Sequence, residues 1–211
     1  MKEDTERKDF LRGYWVHYLM IEEEFLKTLP FLSLCEGNSN AFSDAYLKLI
    51  IEIGSAADVA LKKYCSILKP NFKGTKIEEY YSTIDDTVKS KFIGKSIELR
   101  NNAYDLLPIS TWQGWSRGHS PEWWHVYNKA KHERTEEVQI GCGPKQKSYK
   151  YANQKYTLQA LAGLYQVLAF TYHEIVKDDD ELVPYPVPES KLFKPVFELG
   201  TASDGTELML I

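Results

Sequence analysis

Three long stretches of the chain place apolar residues three and four positions apart, the spacing that puts one stripe on one side of a helix. The first, residues 5–29, ends before Pro30. The second, residues 44–68, follows a predicted N-cap at Ser43 and stops before a proline. The third covers residues 151–176. The pattern therefore predicts three long amphipathic helices.

Two shorter helices are predicted between the second and the third long ones. Residues 77–92 carry one continuous apolar stripe and are expected to form a single helix. Ser120-Pro121-Glu122 combines an N-cap hydroxyl, a proline at the first helical position and an acid near the positive helix end. This combination favours a helix over residues 121–136.

The remaining segments lack helical spacing. A short hairpin is predicted over residues 95–109, with a turn at Asn101-Asn102, and a loop over residues 139–148. Prolines 184, 186 and 188 predict an extended linker. The apolar positions on either side of Asp204-Gly205 then indicate a terminal β-hairpin.

We therefore expect a mainly α fold, an up-and-down bundle of four to five helices with a small β-hairpin addition near the C-terminus. Residues 1–177 are expected to form the bundle. Residues 178–211 are expected to form the Pro-containing linker and a hairpin packed on the bundle. A chain of 211 residues can bury such a core without disulfides or a structural metal.

Composition narrows the classes of function. A net charge of -4 excludes a protein that coats nucleic acid or a membrane through its overall field. Three cysteines without CxxC spacing indicate neither a disulfide framework nor a zinc site. The charged N-terminus lacks the apolar core of a secretion signal, and the apolar run at residues 160–170 is too short to span a bilayer. We expect a soluble cytoplasmic protein with no membrane contact.

The richest chemistry lies in the predicted fourth helix, in the run WWHVYNKAKHER that begins at Trp123. Residues four apart stack on one face of a helix. Trp124, Asn128 and His132 therefore form one row, and Trp123, Tyr127 and Lys131 form the row beside it. A histidine, an amide and cations converge there, whereas His119, His125 and His132 lack a usual metal-ligand spacing.

This run resembles the WxxYNKxKHxR signature of bacterial proteins in the HEPN-like helical superfamily. Residues 38–43, Asp58 with Lys62, and Ala152-Asn153 are similar to the same group, and the resemblance covers roughly residues 14–176. It implies a bundle of about four long helices, a homodimer, and an RNA-cleaving effector of a toxin–antitoxin or phage-defence system. The implied partners are RNA, a second copy and an antitoxin-like protein, with no cofactor and no metal.

Active members of the superfamily resemble one another in carrying an arginine, often a polar residue after it, and a histidine further along the same helix. Asn128 and His132 match the polar residue and the histidine, while Tyr127 stands where the arginine would be. We therefore expect the positive charge from Lys131 or Arg134. Histidine can move the 2′-hydroxyl proton, and the cation can bind phosphate.

RNA binding is expected from residues near the same helix. Tryptophans can stack bases, and Trp124 lies in the row of Asn128 and His132. The loop and helix start that follow the motif are locally basic, since no acid lies between the lysines from 145 to 155. The predicted RNA-binding residues are Trp124, Lys129, Lys145, Lys147 and Lys150.

A structural reading of the same residues stays open. Asn128 and His132 would then be buried polar residues that tie the fourth helix to its neighbours, since buried polar groups must be hydrogen-bonded. Asp58 and Tyr127 are the predicted structural partners, with Asp58 facing His132 or a cation of the fourth helix. In that case the protein is a non-catalytic interaction or dimerisation module.

Overall fold

A computed structural model describes most of the chain, namely residues 2–101, 104, 106, 108–177, 185–197, 199–201 and 207–209. The fold is mainly helical, as predicted. None of the described helices is both long and apolar enough to cross a bilayer. The thiols of Cys35, Cys65 and Cys142 are all free.

The helices at the N-terminus follow one another without a break in the helical backbone. Helix α1 (Lys2–Phe10) continues through a π-helical turn (Leu11–Trp15) into α2 (Val16–Leu26). The π-helical turn was not predicted, and the helix ends three residues before the expected position. Trp15, at the end of that turn, is fully buried.

Two long helices form the centre of the fold. Helix α3 (Asp44–Leu68) has the predicted bounds, and its backbone begins where Ser43 Oγ accepts a hydrogen bond from the Tyr46 N–H at 3.2 Å. Helix α7 (Gln154–Val176) is capped by the Asn153 side chain. These two helices make the most extensive packing between described elements. Because most of α7 is buried around its whole circumference, it is the central helix of the core.

The stripe at residues 77–92 was wrongly predicted as one helix. The chain forms α4 (Ile77–Thr83) and α5 (Asp86–Gly94), separated by two extended residues. One of these, Asp85, accepts hydrogen bonds from the Thr87 and Val88 N–H groups and caps α5. A strong N-cap therefore restarts the helix within the apolar stripe.

Three short antiparallel strand pairs complete the regular structure of the described residues. Strand β1 (Ser96–Ile97) pairs with β2 (Ile109–Ser110), and β3 (Glu137–Val138) pairs with β4 (Gln146–Lys147). Strand β5 (Leu199–Thr201) pairs with β6 (Glu207–Met209). Strand β4 lies within the predicted loop, and β3 lies just before it. The predicted turns at Asn101-Asn102 and Asp204-Gly205 lie partly or wholly outside the described residues, as does Pro184.

The segment at residues 185–197, here called the C-terminal strap, is part of the core. Its backbone bonds to the β1 side through Lys194 N–H to Glu98 O at 2.9 Å and Arg100 N–H to Leu192 O at 2.8 Å. The buried carboxylate of Glu22, in α2, accepts bonds from the Lys191 and Leu192 N–H groups at 2.9 and 3.2 Å. The strap is thereby fixed to the helices.

Candidate functional site

The motif of the predicted fourth helix lies on α6 (Glu122–His132). Pro121 is the N-cap residue, without a side-chain hydrogen bond, so the predicted cap at Ser120 is wrong. The helix ends four residues before the predicted position. Its buried side consists of Trp123, Trp124, Val126, Tyr127 and Ala130.

Tyr127 has the structural role that the sequence allowed for it. Its side chain is buried against Gly54 of α3, and its hydroxyl accepts a hydrogen bond from Lys131 Nζ at 3.1 Å. The same hydroxyl lies 3.5 Å from Ser55 Oγ. The hydrogen bond from Lys131 to the Tyr127 hydroxyl is the largest cause of a raised pKa of Lys131. The charge interaction with Tyr127 comes next, and Asp58 makes a smaller contribution. Lys131 is therefore a cation that sits beside α3.

Asp58 does not bond to His132. Its carboxylate accepts a hydrogen bond from the Tyr80 hydroxyl at 2.9 Å. Burial, then this bond, raises the pKa of Tyr80 well above its ordinary range. The predicted partnership of Asp58 with His132 is thus wrong. Its link to a cation of α6 is present as a charge interaction with Lys131.

Trp124 cannot stack on an RNA base. Its side chain is 4% exposed and packs edge-on against Trp123 and Tyr127, each at 5.5 Å between ring centroids. The tryptophans at 112, 115 and 123 are also buried, and they form a continuous aromatic cluster with Phe92. Packing therefore explains the tryptophan-rich sequence around α6, and the prediction of an RNA-binding Trp124 is wrong.

The opposite side of α6 is open. His132 is exposed and Asn128 is partly exposed. Neither side chain has a hydrogen-bond partner among the residues that the structure describes. A carboxamide and an imidazole one helical turn apart are therefore free to contact a ligand.

His125 belongs to the same exposed side, and the sequence interpretation missed it as a site residue. It lies three residues before Asn128 and seven before His132, two spacings that return to one side of a helix. Partial burial, then the positive charge of Lys129, lowers the pKa of His125. The signal that could have found it was its seven-residue distance from His132.

The cations near this surface differ in their surroundings. Lys129 Nζ pairs with Glu133 Oε2 at 2.6 Å. Arg134 lies beyond the end of α6, where its Nε donates to the Ala130 carbonyl at 3.4 Å. Arg134 is therefore not part of the helix, which was predicted to continue to residue 136. Lys131, held at Tyr127, lies on the α3 side of the row that carries Asn128 and His132.

The basic ribbon, residues 137–147, is joined to the end of α6. The Ser148 N–H bonds to the Glu136 carbonyl at 2.8 Å, and the Tyr149 N–H bonds to the Arg134 carbonyl at 3.1 Å. Ser148 Oγ also donates to the Glu133 carbonyl at 2.5 Å. These bonds bring the lysines of the ribbon and the following turn toward the last turn of α6.

The lysines at 145 and 147 are exposed and Lys150 is partly exposed. Lys147 lies opposite Glu137 in the strand register. From residue 129 to residue 150 the chain carries six Lys and Arg against three Glu. This surface is therefore locally positive in a chain of net charge -4. Among the described residues, no three His, Cys, Asp or Glu side chains are grouped as metal ligands.

No protein-family model, curated protein or solved structure matches the chain. The HEPN-like resemblance therefore stays a prediction from the motif on α6.

Proposed function

We propose that this protein is a HEPN-like bundle that acts on RNA, as a metal-independent endoribonuclease of a bacterial defence or toxin–antitoxin system. The observation that carries the proposal is the open side of α6, where Asn128 and His132 have no bond to the described protein. Buried polar groups that serve only structure are bonded to their neighbours, whereas Asn128 and His132 are open to solvent and have no such bond within the described part of the chain. These two are placed for a ligand.

The chemistry that fits these groups is attack of a ribose 2′-hydroxyl on the adjacent phosphate. An imidazole takes or supplies the proton, and an amide donates to a phosphate oxygen as its charge grows. The 2′-oxygen–phosphorus bond forms while the bond from phosphorus to the 5′-oxygen breaks. The products are a 2′,3′-cyclic phosphate and a 5′-hydroxyl.

Affinity for the RNA backbone comes from the positive surface around the end of α6. Lys145 and Lys147 on the basic ribbon, with Lys150 behind them, extend the charge of the last helical turn. Lysines bind phosphate with little preference for sequence. Lys129 joins them when phosphate displaces Glu133. In this proposal the chain forms a homodimer with the terminal hairpin packed on the bundle, and an antitoxin-like protein restrains it.

A rival function is favoured by a different observation, the burial of half of the motif. Trp124 and Tyr127 pack in the core, and Lys131 bonds to the Tyr127 hydroxyl. A helical interaction or dimerisation module needs these contacts and no chemistry. It assigns no role to the exposed side chains of Asn128 and His132.

One assay separates the two functions. Purified protein is incubated with single-stranded and structured RNA in a chelator, beside His132→Ala and Asn128→Ala, and the melting temperature of each variant is measured. We expect cleavage by the wild type and a loss in both variants at an unchanged melting temperature. If the wild type does not cleave RNA, the interaction or dimerisation module is the remaining function.

A further inference from the structure

The open side of α6 carries two imidazoles. His125 and His132 are separated by two helical turns, about 10 Å along the axis, and differ by only about 20° in direction around it. Both are exposed. Asn128 and Lys129 lie between them on the same side of the helix. A group seated over this middle position lies about one helical turn from each imidazole.

We propose that His125 and His132 act together as the proton-transferring pair of the site, with the reacting phosphate bound between them at Asn128 and Lys129. This inference rests on the proposed ribonuclease function and adds a residue that the motif did not indicate. Because the 2′-oxygen and the 5′-oxygen lie on opposite sides of the phosphorus, one imidazole on each side can serve both.

The roles follow from the surroundings of each ring. A base must be neutral before the reaction, and partial burial together with the Lys129 charge favours neutral His125. Among the described residues the charges that act on it are Lys129 of α6 and Glu133, the residue that follows the helix. His132 lies in the last turn of α6, at the other end of the pair, and takes the acid role.

One proton is taken up and one is released as the phosphate changes partners. The Nε2 or Nδ1 atom of His125 takes the 2′-hydroxyl proton as the 2′-oxygen bonds to phosphorus. The imidazolium of His132 gives its proton to the departing 5′-oxygen. Asn128 and Lys129 hold the non-bridging oxygens. No electron is exchanged, and solvent returns the two histidines to their starting states.

The test uses two substrates and the full chain. The first is an RNA with an ordinary 5′-oxygen leaving group, and the second is a ribonucleoside 3′-(4-nitrophenyl phosphate), whose leaving group needs no acid. His125→Ala and His132→Ala are compared with the wild type and with His119→Ala, an exposed histidine outside α6. Binding is measured with a 2′-O-methyl RNA, which cannot react.

We expect both α6 variants to lose about a hundredfold to ten-thousandfold in cleavage of RNA, at unchanged affinity for the 2′-O-methyl RNA. On the nitrophenyl ester, His132→Ala should retain wild-type activity while His125→Ala stays impaired. His119→Ala should behave as the wild type on both.

Three other outcomes are distinguishable. Full RNA cleavage by His125→Ala, with a loss in His132→Ala, would overturn the histidine pair and leave the proposed function standing. A wild type that cleaves neither substrate would overturn both. A loss of affinity for the 2′-O-methyl RNA equal to the loss of cleavage would make His125 a binding residue and also overturn the pair.

Discussion

The ring of Tyr127 lies on Gly54 so closely that a Cβ at residue 54 would stand 2.3 Å from a ring carbon. This contact joins α6 to the middle of α3. Together with the other buried side chains of α6, it turns the side opposite Tyr127 away from the core. The exposure of the candidate site therefore follows from the packing of the buried side of α6, of which this pair is one contact.

Gly54→Ala should destabilise the protein by about 1–3 kcal/mol, because the added methyl group must displace the Tyr127 ring from a packed interface. Gly13→Ala is the matched control, since nothing lies within 4 Å of a Cβ there. A helical alanine should be neutral or stabilise by about 0.5–1 kcal/mol. Chemical denaturation measures both. Equal effects of the two substitutions would contradict the Tyr127–Gly54 packing.

Glu22→Gln should loosen the C-terminal strap. The carboxylate is buried and accepts bonds from the Tyr18 hydroxyl at 2.7 Å, from Ser190 Oγ, and from two strap N–H groups. In the glutamine side chain an NH₂ group replaces one of the two acceptor oxygens, and it cannot accept hydrogen bonds from these groups. We therefore expect a loss of about 2–3 kcal/mol in the free energy of unfolding. Protease cleavage within residues 185–197 should also accelerate.

Glu23→Gln is the control for the strap. Its exposed carboxylate pairs with Lys191 Nζ at 2.8 Å, and exposed pairs contribute little to stability. Protease resistance should remain at the wild-type level in this variant. A strap that becomes equally sensitive in both variants would show that the buried carboxylate is not what holds it.

The pKa of His125 should shift in opposite directions when Lys129 and Glu133 are replaced. Its pKa is lowered from the ordinary 6.5 by partial burial first and by Lys129 second, while Glu133 raises it. Lys129→Gln should therefore raise the pKa, though not above 6.5, and Glu133→Gln should lower it further. Ring NMR signals followed against pH report both changes. Shifts of the same sign would contradict this account.

The same shift gives a pH dependence of stability. Because the pKa of His125 is lower in the folded chain, the unfolded chain binds more protons when the pH falls through 6.5. His125 therefore makes the protein less stable on the acid side of that value. His125→Gln should reduce the loss of stability between neutral and mildly acidic pH. An unchanged pH profile would contradict the shift.

The three thiols should differ in reactivity. Burial raises the pKa of Cys65 to about 12, so this thiol is protonated and shielded in the native protein. Cys142 is exposed in the basic ribbon. A disulfide reagent should label Cys142 first, and Cys65 only when denaturant unfolds the chain. Rapid native labelling of Cys65 in a Cys142→Ser variant would contradict the described core.

The sequence predicted those helices whose signals are local. Helix α3 has its expected bounds because Ser43 caps it and a proline follows it. The break at Asp85 was missed since the apolar stripe runs through it, although an aspartate before a helical segment is itself an N-cap signal. The attachment of the C-terminal strap could not be predicted, because it depends on Glu22, far away in the chain.

The candidate site was predicted in part. The motif located Asn128 and His132. The spacing of residues on a helix groups them into rows, but it does not show which row faces the core. Trp124 shares a row with both and is nevertheless buried, because the buried arc of α6 is wide enough to include it. The folded chain alone reveals that Lys131 bonds to the Tyr127 hydroxyl and Arg134 to the Ala130 carbonyl.

The most direct test of the central claim is product analysis of one oligonucleotide, a DNA strand with a single ribonucleotide, incubated with the protein in a chelator. We expect cleavage only after the ribonucleotide, with a 2′,3′-cyclic phosphate found by mass spectrometry. The product should disappear in His132→Ala. An intact strand, or a product with a 3′-hydroxyl end, would contradict the claim that the open side of α6 cleaves RNA through its 2′-hydroxyl.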